Sequence, residues 1–197
     1  MVPPVNAEAA SLERPDESLP RLFMALFMLS WSIGFLALLG AHLYLRLDAV
    51  VWPPAGEPLP PRLLPGLSTL VVLGSSVAYH FGLRGIEKER TDRLMRGLIA
   101  ATGLATLFML LQLGAAMQAV SEGLTWTRSV YAAFFWMTAG LHLAHVVVGV
   151  FAGAWMINAT RVGTFSAAQH LHVRLWGYYW HSVGAYWLLI YLFVFLL

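Results

Sequence analysis

Five long apolar stretches, none containing an aspartate or a glutamate, constrain this chain more than any other feature. They run over roughly 22–46, 63–83, 95–120, 129–155 and 175–197. About 20 helical residues suffice to cross a hydrocarbon core. In lipid only helices and closed barrels satisfy their own backbone. The runs lack the strict period of two that barrel strands would show. The sequence therefore predicts an all-α, polytopic membrane protein with five transmembrane helices over 21–197, preceded by a poorly ordered tail over 1–20.

Composition supports this and removes several chemistries. The chain is 59% hydrophobic and only 11% charged, far from the roughly 25% charge of a soluble domain. It has no cysteine. Disulfides, iron–sulfur clusters, zinc thiolate sites and thiolate copper centres are excluded together. The first 20 residues carry Pro3, Pro4, Pro15 and Pro20 among Glu8, Glu13, Asp16 and Glu17. They lack the basic start and apolar middle of a secretory signal.

Basic residues orient the spans. Arg14, Arg21, Arg84, Lys88, Arg90, Arg93, Arg96, Arg161 and Arg174 fall on the tail and even-loop side, against Arg46, Arg62 and Arg128 on the other. The positive-inside rule then places the N-terminus in the cytoplasm and the C-terminus outside. The sequence pI near 9.2 is a topology signal and implies no nucleic-acid partner. Glu87, Glu89 and Asp92 interrupt the second loop, as in a solvated, salt-bridged helix end.

The loop after the first span reads Trp52-Pro53-Pro54, with Trp52 a candidate interfacial anchor. Gly74, Ala78 and Gly82 recur at four-residue spacing in the second span. Gly97, Ala101 and Ala105 do so in the third, and Gly149 and Gly153 in the fourth. Small residues at that spacing let helices approach closely.

Polar groups inside a bilayer are costly and need partners. His142 and His145 lie three apart on one face of the fourth span, His181 sits in the fifth, His80 late in the second and His42 near the outer end of the first. Three readings compete. The histidines fix helix packing or hold lipid headgroups. Or His145, with His181 or His80, ligates a haem b, which needs imidazoles from two facing helices. Or they form a proton relay. A relay alternates His with Asp or Glu. These spans offer only neutral groups such as Ser75, Thr102, Gln112 and Thr138. Phosphate loops, dinucleotide-binding glycines and HExxH are absent from the sequence.

Several of these residues together resemble subunit III of the haem-copper oxidases in its short, five-helix form. They are Arg46 with Trp52-Pro53-Pro54, then Gly140, Leu141, His142, Ala144, His145, Val146 and Gly149, then Arg161, His170, Tyr179-Trp180-His181 and Trp187. The resemblance covers 21–197. It implies a non-catalytic accessory subunit of a respiratory haem-copper complex, multi-pass in the bacterial inner membrane, packed on catalytic subunit I beside subunit II. Haem and copper would then lie in those partners, with no metal and no catalytic residue on this chain. Phospholipid is the expected bound molecule. The implied lipid or interhelical contacts are His142, His145, His181, Arg46, Arg161, Trp180 and Trp187.

Acidic residues common in that family are missing. The first helix has none around Ser30 to Ser32, and Ala115, Arg174 and Gly184 stand at three other such places. The loss points away from proton uptake and toward a divergent branch, including one serving a nitric oxide reductase. The alternative in another class is a haem b-binding anchor of a dehydrogenase or reductase.

Overall fold

The structure, a computed structural model, describes residues 17–197. It consists of α1 (Ser18–Asp48), α2 (Leu63–Ile86), α3 (Thr91–Ser121), α4 (Val130–Arg161) and α5 (Leu171–Ile190), the last extended by a wider π-helical turn over Tyr191–Leu196. All five helices are long and apolar enough to cross a membrane. The described residues form no strand, so the chain is an all-α membrane protein. Most of the expected tail lies outside the described residues. Ser18–Pro20, assigned to that tail from sequence, are already helical. Pro20 is in the first turn, where its missing N–H has no partner to lose.

The helices outrun their apolar cores because charged ends remain helical at the headgroup level. Thus α3 starts with Asp92 inside its first turn, and α4 runs on to Arg161. Three helices end alike. After α3 and α4, Gly123 (φ 87°) and Gly163 (φ 77°) take the left-handed conformation. Leu124 N–H then bonds Ala119 C=O at 2.9 Å, and Thr164 N–H bonds Ala159 C=O at 3.0 Å. This is the glycine cap that satisfies the last carbonyls. After α2 the same closure, Arg90 N–H to Gly85 C=O at 3.0 Å, puts Glu89 at φ 59°.

Small residues set the closest approach. Gly82 of α2 and Gly97 of α3 lie back to back, and a Cβ on Gly97 would stand 2.5 Å from the Gly82 Cα. The hairpin of α2 and α3 is the tightest pair; α4 packs on α3, and α5 closes the ring against α2 and α4. Helix α5 is the most buried and α1 the least. Within the described residues α1 packs chiefly on α4 and α5. It joins them through rings, Trp31 against Tyr179 at 5.1 Å and Phe35 stacked on Tyr186 at 5.0 Å.

Candidate functional site

The interior polar groups form interhelical ties, most of them centred on α5. The Trp180 indole N–H donates to Ser75 Oγ of α2 at 2.9 Å, and that hydroxyl donates to the Ala101 carbonyl of α3, also at 2.9 Å. One serine thus joins three helices. About two turns further along, Trp187 Nε1 donates to Thr69 Oγ1 at 2.9 Å, and Gln112 Nε2 of α3 to Ser68 Oγ at 2.6 Å. The Tyr79 hydroxyl of α2 donates to the Val173 carbonyl near the start of α5.

His142 is 1% exposed. Its Nε2 meets the Val183 carbonyl of α5 at 3.1 Å, so that nitrogen carries the proton. Its ring packs among Phe108 at 5.7 Å, Trp187 at 5.2 Å and Phe35 at 6.3 Å. His145 lies one turn on. Its Nδ1 donates to its own helix at Leu141 C=O (2.7 Å), and its ring lies flat on Trp31, with centroids 4.0 Å apart and planes 8° from parallel. Its carbonyl accepts from the Tyr179 hydroxyl at 2.7 Å.

His181 does not join them. It is two residues beyond Tyr179, about 200° around the helix, and it faces α2, with its ring 5.9 Å from Tyr79. The sequence suggested His145 with His181 or His80 as a facing pair for haem b; the structure puts His145 and His181 on opposite sides of α5, and His80 of α2 lies on the His181 side. His142 would have to surrender its carbonyl bond to offer Nε2 to iron. Among the described residues no group of three His, Cys, Asp or Glu side chains is placed to hold a metal ion.

Of the remaining sequence candidates, Trp180 and Trp187 are buried anchors, 2% and 1% exposed. Arg46 is half-buried at the C-terminal end of α1, its guanidinium 5.9 Å from the centre of Trp52. Trp52, the candidate interfacial anchor, lies in the loop after α1. It is half-buried, edge-on to His42 at 5.2 Å and to Tyr131 at 5.1 Å, so the proline-rich loop folds onto the bundle. Arg161 is exposed at the end of α4.

The positions lacking acids have an apolar or paired setting. Ala115 is buried. Gly184 is buried against α2 near Ser76 and Val72. Arg174 bonds His170 Nε2 at 3.0 Å and reaches Glu87 at 3.7 Å, tying α5 to the turn after α2.

Sequence reasoning passed over Trp31 and Tyr79, two of the strongest ties. The visible signal for Tyr79 was Gly177. A Cβ on Gly177 would sit 2.7 Å from the Tyr79 ring. Trp31 carried no signal beyond its being a tryptophan mid-span.

A ring of four helices with a fifth laid against it, joined by indoles, hydroxyls and imidazoles, defines a polytopic membrane protein. Comparison with known proteins agrees and is more specific. The chain belongs to the cytochrome c oxidase subunit III family, whose model matches residues 18–197. It is 29% identical over 183 residues to cytochrome c oxidase subunit 3 of Synechocystis sp., covering 90% of this chain and 76% of the relative. It is 26% identical over 186 residues to that of Thermostichus vulcanus, covering 94% and 90%. The match to that of Lycodon semicarinatus is 32% over 187 residues, covering 89% and 68%.

Proposed function

We propose that this chain is the non-catalytic third subunit of a membrane-bound haem-copper oxidase, packed on catalytic subunit I with subunit II nearby. Its N-terminus is cytoplasmic and its C-terminus lies outside. The observation that carries this reading is the family match across all five helices. The buried polar side chains among the described residues are His42, Ser68, Ser75, Thr138, His142 and Thr160. The family's lipid role fits an apolar groove of about 280 Å³ between α1, α4 and α5, bordered by Phe27, Trp155, Trp176 and Tyr179. His172 also lines a more polar cavity above it, with Glu17 and Gln169. An acyl chain would lie in the first and a headgroup at the second. The curated relatives compared above are cytochrome c oxidase subunits, which favours oxygen over nitric oxide as the acceptor.

An affinity tag on this chain tests the assignment. Mild-detergent extracts should yield a complex containing haem and copper that consumes oxygen and whose mass spectrum includes subunits I and II. Isolation of the chain with stoichiometric haem b and without a copper-bearing partner would support the anchor reading instead. A purified complex that reduces nitric oxide and not oxygen would move it to the divergent branch.

A further inference from the structure

Where α2 turns into α3, three cations stand without a carboxylate. Arg84, Lys88 and Arg93 line, with His80, a cavity of about 460 Å³. Two acids of the same turn are engaged elsewhere, Glu87 with Arg174 at 3.7 Å and Asp92 with Arg96 at 2.7 Å and Arg90 at 3.8 Å, while the third, Glu89, is exposed and pairs with none of the three cations. Neither Arg84, Lys88 nor Arg93 has an ion pair or side-chain hydrogen bond among the described residues. Arg93 is instead 5.7 Å from the centre of the Phe81 ring. A cation left in this way at a membrane boundary is an attractive site for phosphate.

The cavity continues into the bilayer. Val77 and Phe81 wall both it and a second hollow of about 400 Å³, which runs between α2 and α3 past Gly74, Ala78 and Ala100. The small side chains that bring these two helices together also leave this furrow on their outer side. Gly74 to Arg84 is ten residues, about 15 Å along a helix. That is half of the roughly 30 Å hydrocarbon thickness, one leaflet. A basic mouth at the headgroup level above an apolar furrow one leaflet deep has the shape and charge of a phospholipid.

We propose that the outer face of the α2–α3 hairpin binds one anionic phospholipid, its phosphate held by Arg84, Lys88 and Arg93 and an acyl chain laid in the furrow past Val77 and Phe81. This face is formed by α2 and α3 and is separate from the groove between α1, α4 and α5. It does not depend on that groove being occupied.

The test uses the assembled complex purified in mild detergent. Native mass spectrometry reads how many phosphatidylglycerol molecules remain bound and how tightly added phosphatidylglycerol or phosphatidylcholine binds. Each basic residue near an anionic lipid is worth about a fivefold change in affinity. Arg84→Gln should therefore weaken phosphatidylglycerol binding about fivefold. The triple variant Arg84→Gln, Lys88→Gln, Arg93→Gln should weaken it on the order of a hundredfold and lose one phosphatidylglycerol per complex. Phosphatidylcholine binding should be unchanged. Ala100→Phe, which fills the furrow and leaves the cations, should lose the same lipid. If the triple variant does not assemble, Arg84→Gln and Ala100→Phe decide the matter. Unchanged phosphatidylglycerol binding in those two overturns the proposal. So does loss of a neighbouring protein subunit with the lipid count intact, which would mean that the cations serve an acidic protein surface. Lipid lost only on plugging the other groove, with Ala152→Phe, would likewise remove this site and leave that one.

Discussion

Gly149→Ala offers the sharpest check on how the bundle is locked. A Cβ at 149 would stand 2.9 Å from Trp180 Cε3, closer still to Cζ3, and 3.3 Å from Tyr179 Cε1. Carbon atoms prefer about 3.5–4.0 Å, so one side must move by more than half an ångström. Trp180 has little freedom to do so. Its indole nitrogen is held by Ser75, and its ring is stacked on Trp176, with centroids 5.2 Å apart and planes 12° from parallel. Trp176 is itself fixed one turn along α4, where a Cβ on Gly153 would be 3.3 Å from its Cζ2. Overpacking of this kind costs about 1–3 kcal/mol. Alanine returns up to about 1 kcal/mol of helix propensity, so the net loss should be roughly 1–2 kcal/mol. The midpoint of thermal dissociation should fall by on the order of 5 °C, read by size-exclusion chromatography of the heated, detergent-purified complex. Trp180→Phe removes the crowding atoms along with the indole N–H. Alone it should destabilise. Combined with Gly149→Ala it should recover part of the alanine cost, with a coupling of about 0.5–3 kcal/mol. A Gly149→Ala complex as stable as the parent, or two changes that simply add, would refute the interlock.

Three further outcomes are expected. Ser75→Ala removes the acceptor of Trp180 and the donor to Ala101; it should cost about 0.6–2 kcal/mol per bond in the same thermal assay, and Ser75→Thr should restore most of it. His145→Ala takes away the face on which Trp31 rests, so recovery or thermal stability of the complex should drop while initial turnover per haem stays near the parent value; a fully assembled variant slowed about a hundredfold, the scale of a lost general acid or base, would contradict the accessory role. Alkaline phosphatase fused after Leu197 should be active and fused within 84–96 inactive; the reverse pattern inverts the proposed topology.

The five spans were legible because apolar length is a strong signal in a membrane protein, and the structure moves most of their ends outward by a few residues. The glycine stripes were also legible: Gly82 and Gly97 meet back to back, and Gly149 and Gly153 each receive an indole. What the stripes could not tell was the partner, since a small residue accepts a backbone or a tryptophan equally well. The histidines were found, but their pairing was not. Sequence gives depth along each helix and leaves rotation open, and it is rotation that separates His181 from His145. The contacts of Trp52 were hidden for a related reason: proline-rich loops carry no period, so nothing in the sequence showed the loop folding back onto Tyr131. Glu89 in a left-handed turn was unreadable, because glycine or asparagine is the usual mark of that conformation.

The missing acids and the surviving tryptophans have one physical account. A buried carboxylate in lipid must find a cation, a donor set or water; Ala115 is buried, and the position at Gly184 meets only Val72 and the Ser76 hydroxyl. An indole N–H needs only one acceptor, and the hydroxyls of Ser75 and Thr69 supply it while passing their own protons to backbone carbonyls. These ties leave Ser75 and Thr69 no spare donor and add no charge. They hold α2, α3 and α5 at fixed rotation. Among the described residues, helix α1 is held to the ring chiefly by aromatic contacts, each worth about 0.5–1.5 kcal/mol beyond burial. The bundle is therefore stiff across α2 to α5 and most easily loosened at α1, so damage at His145 should appear first as a detached α1 and reach the rest of the complex only through it.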